Sequence, residues 1–236
     1  TPAWATAKDR EKWTYKAAPN LLALDKKTGE VIAKDTVKME VIFHGQWSTP
    51  APVKVGNTLQ ILWGDGAGYL HGFAMPEKSG ADEPSEITEL WRFDANPPEW
   101  RALPYSQHGS KSAEKLLGPG DVIAKPTVIG TKVYIGTGRD HYYGGKDAKG
   151  RLATKGIFYC LDMSKAGKET PPTVVWKKEL VITQSTASVV DGLVYIAGGD
   201  GTLYCLDADT GEEYWNHDMG YDVTCRSQMV ADDKVY

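Results

Sequence analysis

Cysteine is scarce in these 236 residues, with three at positions 160, 205 and 225. They are too few and too far apart for a zinc ribbon or a disulfide scaffold. No apolar run approaches the about 18 residues that a membrane-crossing helix needs. No run of Lys or Arg exceeds two, and 27 basic residues face 31 acidic ones for a net charge of -4. That excludes a nucleic-acid-binding surface and a polybasic membrane patch. Helical periodicity is missing from every long stretch, and the most helix-like piece is short, around 112–117. No signal peptide is visible at Thr1, which fits a cytosolic chain or one already processed. Phe is also rare, with four against eight Trp and twelve Tyr. The 25 Gly and 13 Pro are spread along the chain. This composition excludes disorder and a helical bundle and points to many short strands joined by turns.

Self-similarity organises these strands. Four segments share one pattern: Leu21-Leu22-Ala23-Leu24-Asp25, Leu70-His71-Gly72-Phe73-Ala74, Phe158-Tyr159-Cys160-Leu161-Asp162 and Leu203-Tyr204-Cys205-Leu206-Asp207. The third position is always small. Three segments run on to Gly, in Thr28-Gly29, Ala166-Gly167 and Thr210-Gly211, and three lead to a Trp that opens a strand, Trp91, Trp176 and Trp215. In the first segment Ala33 stands where the Trp would be.

A second piece recurs upstream, two β runs across a Gly/Asn/Asp turn. It spans residues 52–62, 126–136 and 187–196, and begins again at Met229. Gly64-Asp65-Gly66 and Gly199-Asp200-Gly201 both precede a third strand and read as equivalent tight turns. Each unit is therefore four strands. The marker positions 25, 74, 162 and 207 give a period near 45 with one longer interval. That is the period of a propeller blade. The expected architecture is all-β, a β-propeller of four-stranded antiparallel blades, part of a larger seven- or eight-bladed ring. A single partial propeller spans 1–236, with a half blade at 20–36, blades at 44–94, 121–180 and 185–219, and the start of another at 227–236. Insertions fall at 95–120 and 139–156.

Both faces of a blade pack on neighbours, so its strands are apolar on both sides. The small third residue leaves room for a large ring, and the Gly of the Thr-Gly turn lets an indole lie flat on bare peptide. One such Trp contributes about 2–3 kcal/mol through its buried area. Cys160 and Cys205 hold equivalent positions in consecutive units and face the same direction, which keeps them out of disulfide geometry. They read as small core residues. Cys225 reads as a loop residue that can pair only outside this chain.

Cys205-Leu206-Asp207-Ala208-Asp209-Thr210-Gly211-Glu212-Glu213-Tyr214-Trp215 resembles Ala-x-Asp-x-x-Thr-Gly-x-x-x-Trp, the tryptophan-docking repeat of the quinoprotein (PQQ-like) β-propellers, with Cys in place of Ala. Ala23 to Ala33 matches except at the final Trp. More narrowly, Pro19-Asn20-Leu21, His44-Gly45-Gln46-Trp47-Ser48-Thr49-Pro50, Asn96-Pro97-Pro98-Glu99-Trp100 and the unit from Ser185 to His217 resemble PQQ-binding-like propeller proteins of planctomycete-type bacteria. The resemblance implies a bacterial periplasmic or secreted protein. The dehydrogenases of this superfamily carry a vicinal Cys-Cys disulfide, and no Cys-Cys pair exists here. No catalytic residue is carried over, and PQQ with Ca²⁺ is expected only if blades outside this chain supply the site.

The insertions hold the best functional candidates. Trp100, Tyr105, His108, His141, Tyr142 and Tyr143 cluster around Gly-rich turns, and binding residues concentrate on such loops. Trp47 joins them as a candidate binding surface. His108 and His141, even with Asp140 between them in space, have no metal-ligand spacing, so no metal is assigned. Asp140 and Asp147 lack the spacing of an EF-hand loop. His44 reads as a hydrogen-bonded residue at a strand start. The expected function is a non-catalytic scaffold that binds a protein or ligand, its partner a protein or the remaining blades. The alternatives are a fragment of a PQQ-dependent alcohol or sugar dehydrogenase and a structural subunit of an electron-transfer complex.

Overall fold

The computed structural model describes residues 18–38, 42, 45–76, 83–103, 119–138, 147–151, 153–181, 183–221 and 227–236. Seventeen strands and one four-residue helix, α1 (Pro98–Arg101), make up the described structure. Apart from one parallel pair in the first, the sheets are antiparallel, and they follow one another along the chain. The second joins β3 (Ala51–Val55), β4 (Thr58–Gly64), β5 (Tyr69–Ala74) and β7 (Glu89–Asp94). The third joins β8 (Thr127–Ile129), β9 (Lys132–Gly136), β10 (Lys155–Asp162) and β11 (Thr173–Val181). The fourth joins β12 (Ser188–Val190), β13 (Leu193–Ala197), β14 (Thr202–Asp207) and β15 (Glu213–Asp218). A hairpin of β16 (Val230–Ala231) and β17 (Lys234–Val235) follows. The first strands of successive sheets, β3, β8 and β12, lie side by side. This is the radial arrangement of propeller blades. The described residues form no closed ring.

The first sheet departs from the repeat. β1 (Leu22–Leu24) and β2 (Val31–Asp35) pair antiparallel, but β6 (Ser85–Ile87) then adds to β2 in parallel. β6 runs directly into β7 of the second sheet, so one stretch of chain straps two neighbouring sheets together. The repeat pattern does not announce this strap.

Alternation along β10 shows why both faces are apolar. Ile157, Tyr159 and Leu161 join a core with Leu62, Leu70 and Trp91 of the second sheet. Phe158 and Cys160 join Trp176, Val194, Ile196 and Leu206 on the side of the fourth. A third core packs Trp63 and Phe73 against Leu21, Ala33 and Ile87 of the first.

The small third residue lies opposite the Trp position in every sheet: Ala23 faces Ala33, Gly72 faces Trp91, Cys160 faces Trp176 and Cys205 faces Trp215. A register shift follows each small residue in all four. Such a bulge re-aims the opposing side chain. A Cβ on Gly72 would fall 2.1 Å from Trp91 Cε2, so that position must be bare.

Trp176 reaches the next sheet. Its indole N–H donates to the Ala208 carbonyl at 3.1 Å, and its ring covers Gly211, whose φ is +73°. Trp91 reaches its neighbour indirectly. Its N–H donates to Gln60 Oε1 at 2.9 Å, and Gln60 Nε2 donates to the Ala166 carbonyl at 2.9 Å.

The two Gly-Asp-Gly triplets prove not to be equivalent. In the β4–β5 turn Asp65 and Tyr69 are joined by a backbone bond, and the left-handed residue is Gly68. In the β13–β14 turn Gly198 takes the place of Asp65, and the left-handed residue is Gly201. The offset frees Asp65 to act with its side chain. Cys160 and Cys205 are free and buried. Burial pushes the Cys160 thiol up to about 11, as expected of an inert core residue. Cys225, His44, Trp4, Trp13 and the stretch 112–117 lie outside the described residues.

Candidate functional face

Within each sheet the second strand turns into the third at the same end where the fourth strand leaves for the next sheet. Both insertions open at that end. Their bases are closely bonded. Asn96 and Gly120 exchange two hydrogen bonds, Asn96 Nδ2 to the Gly120 carbonyl at 2.9 Å and the Gly120 N–H to Asn96 Oδ1 at 2.8 Å. The side-chain amide thus closes the base of 97–119 as a strand pair would. Asp121 and Gly138 are then joined by reciprocal backbone bonds of 2.5 and 2.8 Å. Gly138 opens the second insertion, so the two insertions rise from adjacent feet. Val122 bonds the Asp65 carbonyl, and Thr183 bonds the Thr137 carbonyl, which draws the second, third and fourth sheets into this junction. The Asp121 side chain is wholly buried there.

Trp47 lies at the same end. Gln46 accepts from the Gly66 N–H at 2.8 Å, and Ser48 Oγ donates to the Ala124 carbonyl at 2.9 Å. Both neighbours of Trp47 are therefore fixed while Trp47 itself is 53% exposed. An aromatic presented from pinned backbone loses little conformational freedom on contact with a ligand.

Trp100 differs. It is 7% exposed and belongs to the core shared with Val122 and Leu70. Its helix α1 begins at a proline, which suits the first turn. Arg101 holds α1 down. It pairs with Asp94, donates to the Ala67 carbonyl at 2.6 Å and lies 4.5 Å over the Tyr69 ring. Trp100 thus supports the face from beneath. Tyr105, His108, Asp140, His141, Tyr142 and Tyr143 lie outside the described residues. Asp147 is spent locally, accepting from the Arg151 and Lys149 backbone N–H groups, which lower its pKa.

One constellation had no motif to mark it. His71 on β5 bonds Asp65 Oδ2 through Nε2 at 2.9 Å and Glu89 Oε1 through Nδ1 at 2.6 Å. Six residues separate the His from one partner and eighteen from the other, so only the strand pairing reveals the cluster. The i, i+2 pair of His71 and Phe73 on β5 is its one trace in the sequence.

Among the described residues no three His, Cys, Asp or Glu side chains converge on a metal-sized site. No residue of this chain is assigned to PQQ with Ca²⁺. No described helix is long and apolar enough to cross a membrane.

The family described as outer membrane protein assembly factor BamB matches residues 168–236. No curated protein sequence matches. Among solved structures, BamB from Moraxella catarrhalis superposes with a TM-score of 0.50 at 15% identity, over 88% of this chain and 46% of its own. Quinohemoprotein alcohol dehydrogenase from Comamonas testosteroni superposes with a TM-score of 0.55 at 14% identity, over 91% of this chain and 37% of its own. The chain spans less than half the length of either structure. Repeats, register and superposition agree that this chain has a β-propeller fold.

Proposed function

We propose that the chain is a non-catalytic propeller scaffold that binds a protein partner through the end carrying Trp47 and the two insertions. The observation that supports this reading is the pairing of the insertion bases, Asn96 with Gly120 and Asp121 with Gly138. It brings the described feet of the two insertions together, beside an exposed Trp47 whose two neighbours are hydrogen-bonded. The match of the last 69 residues to an outer membrane assembly factor favours a protein partner and a periplasmic setting. A photo-crosslinking residue at Trp47, used in cells of the native source, is expected to capture a discrete partner, whereas the same residue at the exposed Lys177 is not. Equal capture at both positions sinks the proposal.

The second reading, part of a PQQ-dependent alcohol dehydrogenase, is favoured by the superposition on the Comamonas testosteroni enzyme. Incubation with PQQ and Ca²⁺ followed by dye reduction with alcohols separates the two. Turnover would replace the scaffold with an enzyme.

A further inference from the structure

We infer that His71 is an imidazolium clamped between Asp65 and Glu89, and that its proton latches the first sheet and the β6 strap onto the second sheet. This goes beyond the binding role and does not depend on it. A neutral imidazole has one N–H and one lone pair. Both ring nitrogens of His71 meet carboxylate oxygens, at 2.9 and 2.6 Å, so only the doubly protonated ring satisfies both. Loss of the proton sets a ring lone pair against a carboxylate lone pair, and the ring is only 1% exposed. Water cannot relieve that contact in place, and a buried unmatched polar pair favours opening.

The geometry says what opens. The His71 ring stacks on Phe73 at 5.8 Å and lies 5.6 Å from Trp63. Those two rings are the seat for Leu21, Ala33 and Ile87 of the first sheet and its strap. Glu89 begins β7, two residues after β6 ends at Ile87. Displacing Glu89 therefore pulls on the strap that pairs Ser85, Glu86 and Ile87 with Ala33, Lys34 and Asp35.

Of the other charged groups around this seam, Arg92 pairs with Glu89 itself, 3.5 Å from its second oxygen, and the rest are engaged elsewhere. Glu86 on β6 accepts from Thr36. Asp35 on β2 accepts from Asn20 and from the Leu21 and Val37 backbone N–H groups. Asp65 also accepts from the Ala67 and Tyr69 N–H groups, which holds it in place to receive the imidazolium.

Burial is the largest influence on His71 and by itself favours the neutral ring, but the hydrogen bonds and charges of Asp65 and Glu89 together outweigh it and raise the pKa above 6.5. The sign follows from linkage. A raised folded-state value gives stability that is complete below the unfolded value and is lost as pH rises through the folded one. The latch is closed in mild acid and releases toward alkaline pH.

The test is hydrogen exchange of the full chain from about pH 6 to about pH 10, as protection factors for the amides of Ala33 to Asp35 and Ser85 to Ile87. In the wild-type chain protection is expected to fall by up to about 10-fold per pH unit between the unfolded and the folded His71 titration, and to level off above the latter. His71→Gln is expected to remove that dependence, and Glu89→Gln to make it end at lower pH. Ring ¹⁵N shifts of His71 at neutral pH are expected to be those of an imidazolium, a readout that needs no variant to fold. A neutral ring, or an unchanged pH dependence in His71→Gln, overturns the proposal.

Discussion

Trp176 and Trp215 hold the same register position in consecutive sheets, each opposite a buried Cys and each beside a bulge. Trp176 is 8% exposed and Trp215 is 42% exposed. Nothing in their own sheets explains the difference. Trp176 has the Asp207–Gly211 turn of the next sheet to lie on, and its N–H bonds a carbonyl of that turn. The described residues after Trp215 form only the β16–β17 hairpin and offer no such turn. At the other end of the chain, the Asp25–Gly29 turn has the matching left-handed Gly29, with open space above it. The repeat thus encodes a knob in one sheet and a seat in the next. A sheet's own sequence supplies half of a contact that only its neighbour completes.

This comparison breaks first at the indoles. Trp176→Ala is expected to cost about 3–5 kcal/mol, the range for removing a buried aromatic. Trp215→Ala is expected to cost less than about 1 kcal/mol, as for surface sites. Urea unfolding of the two variants decides, and equal losses would show that the indole acts through its own sheet. Trp91 sharpens the point, because it reaches the next sheet through Gln60. Gln60→Leu keeps the volume but strands the Trp91 N–H and the Ala166 carbonyl, for an expected loss of about 2–3 kcal/mol. A neutral result would mean that the relay is incidental. The turns come next. Gly211→Ala meets both a φ of +73° and the Trp176 ring at 2.7 Å, whereas Gly29→Ala meets only a φ of +77°. Expected losses are about 2 kcal/mol for the first and about 1 kcal/mol for the second. Their difference measures the indole on its seat.

The same logic explains what was legible in the sequence. Strand order, small third residues and Trp-led fourth strands were legible because each is a local pattern repeated several times. The indole of Trp176 on Gly211 was foreseen as a ring on bare peptide, since the motif contains both halves. The β6 strap was not, because a three-residue parallel strand has no periodicity to detect. Gly64-Asp65-Gly66 misled because identical triplets sit two residues out of step, which concealed the Asp65 carboxylate facing His71. Trp100 read as a candidate binding residue of the insertion, yet the first turn of the insertion folds back as α1 and buries it. The face around Trp47 was legible only as an aromatic excess. Its pinning by Gln46 and Ser48 depends on bonds to residues 66 and 124, far away in sequence.

The smallest effect separates what a sheet finishes alone from what its neighbour finishes. Asp207, at the start of the seat, is pushed down to about 2, first by the Tyr214 hydroxyl at 2.8 Å and then by the Thr210 and Asp209 backbone N–H groups. Tyr214 stands one residue before Trp215, in the same strand, so the turn is braced from within its own sheet. Ile32 holds the corresponding position in the first sheet and has no hydroxyl to offer. A depressed carboxylate contributes stability above its unfolded value that is lost as pH falls toward the folded one. Tyr214→Phe is therefore expected to raise the Asp207 titration, followed by carboxyl ¹³C shifts, and to leave Trp176 fluorescence unchanged near neutral pH. The solvent-exposed carboxylate is screened, so any change in stability should be slight. If the Trp176 emission moved with Tyr214→Phe, the seat would depend on its own strand as much as on the indole above it. The division between local turn and neighbouring knob would then fail.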